Sequence, residues 1–96
     1  MKFVLICYSE AIDDEVMEVL DEAQVSGYTK WTKVLGKGRT SGPHLYSHIW
    51  PNANSVIATV VPDDIAATML KDIRQMREKL GSEGVKAFMW GIDDVT

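Results

Sequence analysis

The chain has 96 residues, 46% of them apolar, and a formal net charge of −4. That length suits a single domain spanning residues 1–96, with a core modest enough that association between copies is a natural supplement. The negative total argues against nucleic acid as a bulk partner, and no run nears the roughly 18 apolar residues that membrane insertion needs.

The first element expected is a strand over residues 3–8, β-rich and apolar at every position. It is too short, and too quickly followed by acids, to serve as a secretory signal, so a cytoplasmic protein is expected. Cys7 lies inside it and reads as a small core hydrophobe, since the only cysteine can form no internal disulfide. Ser9 reads as an N-cap, and Ile12, Val16, Val19, Leu20 and Ala23 follow a helical spacing. Asp14, Glu18, Asp21 and Glu22 form the solvated face of that helix. After Gly27, residues 28–35 read as a second strand, polar enough for a sheet edge.

Periodicity then stops. Residues 36–54 hold Gly36, Gly38, Gly42, Pro43 and Pro51, which mark a long loop, and loops of that length usually carry function. No Asp or Glu occurs between Ala23 and Pro62, whereas Lys30, Lys33, Lys37 and Arg39 do, with His44 and His48. A mildly acidic chain with one basic middle favours a small anionic ligand over a polyanion. Residues 55–61 read as a third strand, and Pro62-Asp63-Asp64 opens a second helix. Its expected buried stripe is Ile65, Met69, Ile73, Met76 and Leu80, with Gly81 as its cap. A fourth strand is expected over residues 85–92.

This order, βαββαβ, implies an α+β, ferredoxin-like sandwich: a four-stranded antiparallel sheet with both helices on one face. The apolar strands one and three belong at its centre, and strands two and four at its edges. The helices can cover only one face, yet Phe3, Leu5 and Cys7 are as apolar as Val4, Ile6 and Tyr8. Exposing the second face would leave a patch larger than soluble monomers carry, so the sheets are expected to associate between copies.

Three candidate sites come from the residues themselves. Gly36-Lys37-Gly38-Arg39 follows a strand and could cradle a phosphate through backbone N–H groups, although no helix follows as in a nucleotide-binding P-loop or Rossmann turn. Gly84-Val85-Lys86 is a second turn that ends on a cation. His44 and His48 are four apart and offer a metal site, but the neighbouring prolines argue against a shared helix face. No paired-cysteine motif, stacking-aromatic RNA platform, catalytic triad or acid–base pair stands out, so no enzyme is expected.

Gly27-Tyr28-Thr29, then Val34-x-Gly36-x-Gly38-Arg39-x-x-Gly42, then Leu45-Tyr46 resembles the stretch of the PII signalling proteins that runs into their T-loop. Gly84-Val85-Lys86-Ala87-Phe88 and the closing Ile92-Asp93-Asp94-Val95 resemble the PII B-loop and last strand. The resemblance implies a homotrimer that senses a small anionic ligand, ATP or ADP, in clefts between subunits. It also implies a target transporter or enzyme, addressed through the loop over residues 36–54. By position, Thr29, Gly36, Lys37, Gly38, Arg39, Gly84 and Lys86 would line the nucleotide cleft. Lys86 would face the phosphates, with Arg39 in support. Thr40 stands where the family has the glutamine that serves 2-oxoglutarate and Mg²⁺, which implies loss of that site. Tyr46 matches the first loop tyrosine of the family, but the modified one further on has no counterpart. The alternative reading is a metal-binding trimer that uses His44 and His48.

Overall fold

The computed structural model describes residues 1–36, 54–80 and 84–96. In chain order its elements are β1 (Lys2–Ser9), a 3-10 turn (Glu10–Ile12), α1 (Asp13–Glu22), β2 (Thr29–Val34), β3 (Asn54–Val61), α2 (Asp63–Leu80) and β4 (Val85–Gly91). The strands form one four-stranded sheet in the order β2-β3-β1-β4, with every neighbouring pair antiparallel. The expected βαββαβ fold is therefore present, with apolar β1 and β3 in the centre and polar β2 at an edge.

Alternation along the central strands explains the layering. Val4, Ile6 and Tyr8 of β1 and Ser55, Ile57, Thr59 and Val61 of β3 are buried. They share the core with Val16, Val19 and Leu20 of α1, and with Ala66, Met69 and Ile73 of α2. Each fully buried Val, Ile, Leu or Met side chain of this set contributes roughly 1.5–3 kcal/mol of hydrophobic stabilisation. The residues between them, Phe3, Leu5, Cys7, Val56, Ala58 and Val60, point to the opposite face and are only half-buried. The buried stripe of α2 differs from the expected one. Ala66, Met69 and Ile73 form its centre, Ile65 and Met76 flank it, and Leu80 is 41% exposed. The buried centre thus takes in the small Ala66, and the last-turn Leu80 lies off it.

Local signals set the element ends. Ser9 caps the 3-10 turn rather than α1: its Oγ accepts from the Ala11 N–H at 3.2 Å. Helix α1 then starts without a side-chain cap, but Asp13, Asp14 and Glu15 in its first turn suit the positive end of the helix dipole. At its C-terminus Val25 N–H donates to Leu20 O at 2.9 Å, and Gln24 adopts φ 61°, the left-handed conformation that closes such a turn. Thr59 Oγ1 donates to Gly27 O at 2.6 Å and ties the α1–β2 connection to β3.

Of the long loop expected over residues 36–54, the structure describes the two ends. Asn54 belongs to β3 and stands opposite Val34 of β2, so the ends lie side by side.

Candidate functional site

Four cross-strand rows define the face that the helices leave open. The first runs Val34–Asn54–Ser9 toward Gly84, whose carbonyl accepts from the Ser9 N–H at 2.6 Å. The second runs Trp31–Val56–Cys7–Lys86, and the third Thr29–Ala58–Leu5–Phe88. The fourth is Val60–Phe3–Trp90, in which the Phe3 and Trp90 rings stack at 4.8 Å between centroids. Trp31, Phe88 and Trp90 are 52%, 45% and 48% exposed. Three large aromatics around a floor of Leu, Val and Ala make a patch that soluble monomers rarely carry. Burial raises the Cys7 thiol above its ordinary value, as expected for a neutral packing residue.

The described candidate residues sit on this face or at its end. Gly36 lies two residues beyond Val34 of the first row, and a Cβ there would stand 2.6 Å from Asn54 Nδ2, so a side chain would have to displace that amide. Gly84 adopts φ +103°, which needs glycine, and its missing side chain faces Ile12 and Ser9. Lys86 is exposed on the open face opposite Cys7, and Thr29 is exposed on the same face of β2. Thr29 and Gly36 belong to the β2 edge, whereas Gly84 and Lys86 belong to the β4 edge. Three strand spacings, roughly 14 Å, separate the two edges. One chain thus brings these residues to one face without bringing them together. Lys37, Gly38, Arg39, His44 and His48 lie outside the described residues, as do Thr40, Tyr46 and the cap position Gly81.

Sequence reading missed a polar cluster on the helix side of the same sheet end. Asp13 Oδ1 accepts from Tyr8 Oη at 2.5 Å and from Lys30 Nζ at 2.7 Å, joining β1, α1 and β2. Burial pushes the Asp13 carboxyl up, but the hydrogen bonds from Lys30 and Tyr8 and the Lys30 charge outweigh it and hold the carboxyl below its ordinary value. Burial raises the Tyr8 phenol strongly, and the Asp13 hydrogen bond and charge add to that. The one available signal was Lys30, a lone cation at a helix-facing position of its strand. Among the described residues no group of three or more His, Cys, Asp or Glu converges as a metal-ligand set, and no helix is long and apolar enough to cross a membrane.

Comparison with known proteins agrees with this architecture. The family model described as nitrogen regulatory protein P-II matches residues 1–96. Among solved structures, CPII from Thiomonas intermedia K12 bound to ADP and bicarbonate is 24% identical, with a TM-score of 0.71 over 93% of this chain and 82% of that one. The same protein bound to ADP, AMP and acetate gives 23% identity and a TM-score of 0.70, over 92% and 81%. A putative PII-like signaling protein from Thermus thermophilus gives 21% and 0.64, over 93% and 82%. No curated protein sequence matches significantly.

Proposed function

The chain belongs to the nitrogen regulatory protein P-II family, and from that premise we propose that it is a cytoplasmic, single-domain regulatory protein. In this reading it assembles as a homotrimer and binds an adenine nucleotide between subunits. The observation that carries the reading is the open sheet face, where the candidate ligand residues lie at two opposite edges around an apolar centre.

The aromatic and aliphatic centre of the face is covered by other copies, which removes it from water. Association places the β2 edge of one copy beside the β4 edge of the next, so Thr29 and Gly36 meet Gly84 and Lys86 across the junction. Gly36 and Gly84 let backbone N–H groups approach a phosphate closely, and the Lys86 ammonium supplies a point charge for it. Lys37, Gly38 and Arg39, which follow Gly36 in the chain, are further candidates for this ligand by their resemblance to the family's motif. CPII has been solved with ADP and with AMP, which supports an adenine nucleotide as the class of ligand. The role is regulatory rather than catalytic: the protein acts on a target transporter or enzyme through the segment over residues 36–54.

Titration calorimetry with ADP, ATP and AMP, run on protein whose mass is fixed by light scattering, tests this. The reading expects a trimer mass and saturable heat with at least one adenine nucleotide. A monomer, or no heat with any of the three, would overturn it.

A further inference from the structure

Strand β2 does not end as a regular strand. Trp31 stands opposite Val56 and Val34 opposite Asn54, so Thr32 and Lys33 together face Ser55 alone. This is a β-bulge, and it changes which way the chain leaves the sheet. Val56 and Asn54 share the open face, so Trp31 and Val34 share it too, although residues three apart in a regular strand point to opposite faces. Without the extra residue, Val34 would turn to the helix side and Gly36 would leave the sheet with it.

The bulge is held from outside the sheet. Lys33 adopts φ 55°, which glycine takes easily and lysine does not. Its ammonium lies 3.8 Å from Glu10 Oε2. Just before the bulge, Lys30 Nζ meets Asp13 Oδ1 at 2.7 Å, and Tyr8 of β1 holds the same oxygen. Glu10 opens the 3-10 turn and Asp13 opens α1, only three residues on, so one short stretch of chain grips β2 on both sides of Trp31. The Asp13 contact is half-buried and the Glu10 contact is exposed, which makes Asp13 the stronger of the two grips.

We propose that Glu10 and Asp13 are positioning residues for the ligand-side end of β2: they hold Lys30 and Lys33, keep the bulge in register, and so deliver Gly36 to the nucleotide on the open face. This inference rests on the nucleotide reading above. Neither acid touches the ligand; each acts through the strand.

The test combines cross-strand NOEs with ADP titration on the full chain. The variants are Asp13→Asn, Glu10→Lys and the charge-exchanged Glu10→Lys/Lys33→Glu. Glu10 and Lys33 are exposed, so the last two variants change no buried packing. Wild type shows Val34–Asn54 contacts and a left-handed signature in the Lys33 backbone shifts. Asp13→Asn and Glu10→Lys weaken or lose both, while β1–β3 contacts such as Val4–Thr59 persist. ADP affinity falls by roughly fivefold or more in each, and the charge-exchanged pair recovers register and affinity together. Unchanged Val34–Asn54 contacts in Asp13→Asn and Glu10→Lys overturn the proposal. So does a lost register with unchanged ADP affinity, or a failure of the exchanged pair to recover what Glu10→Lys lost. Absence of ADP binding in wild type sinks the nucleotide reading instead, and the register alone then judges the grip.

Discussion

Replacing Asp13 by alanine removes the acceptor that joins three elements, and its cost can be worked from the contacts. Lys30 and Asp13 meet at 2.7 Å with side chains 25% and 33% exposed. Fully exposed pairs contribute about 0–1 kcal/mol, and breaking a fully buried pair costs about 3–5 kcal/mol. The half-exposed geometry, discounted for solvent screening, sits between them. The loss leaves the inward-facing Tyr8 hydroxyl without its Asp13 acceptor, a penalty of about 1 kcal/mol or more. The expected destabilisation is therefore about 2 kcal/mol at neutral pH, read as a lower denaturant midpoint at fixed protein concentration. The pH dependence follows from the depressed Asp13 carboxyl. A carboxyl held below its unfolded value stabilises the fold above that value, and the contribution disappears as pH falls through the folded-state value. The ionic part of the gap between wild type and variant should thus shrink in acid. A loss under about 0.5 kcal/mol, or a gap that grows as pH falls below the ordinary 3.8, would refute the reasoning.

Other outcomes follow from the same structure. Leu5→Glu places a charge in the middle of the open sheet face and should leave the helix-side core intact; light scattering should show smaller species with unchanged far-UV circular dichroism. Ile6→Ala empties a fully buried site and should cost about 2–5 kcal/mol in denaturant unfolding. Gly84→Ala forces a side chain onto φ +103° and should destabilise by about 1–2 kcal/mol, measured as a lower thermal midpoint. Gln24→Gly, at an exposed left-handed helix end, should stabilise by up to about 1 kcal/mol, seen as a higher denaturant midpoint.

The fold was legible because every strand and helix announces itself by period and by local punctuation. Residues 3–8 and 55–61 are apolar on both faces, which placed them at the sheet centre and foretold the uncovered second face; β1 and β3 occupy that centre. Legibility failed where packing or backbone geometry overrides side-chain pattern. The buried stripe of α2 includes the small Ala66, which the spacing of the larger apolar residues passes over, and Leu80 is left outside. The 3-10 turn before α1 separates Ser9 from the helix it was expected to cap. The bulge in β2 has no glycine or proline to announce it, because Lys33 takes the left-handed conformation itself. The Tyr8–Asp13–Lys30 cluster joins residues from three elements, and no local pattern encodes such a meeting. Of the candidate site, the glycines were legible as backbone punctuation, and Gly84 does occupy a position that needs glycine. Their partition between opposite edges follows from the edge places of strands two and four, which the contrast between polar and apolar strands already implied.

A nucleotide held between copies, rather than within one, is what the proposed function requires. A crystal structure grown with saturating ADP tests that requirement without intermediate assumptions. ADP should lodge between the β2 edge of one copy and the β4 edge of its neighbour, with the Lys86 ammonium against a phosphate and Gly36 and Gly84 on opposite sides. A structure without bound ADP under those conditions, or with ADP contacted by one chain alone, would contradict it.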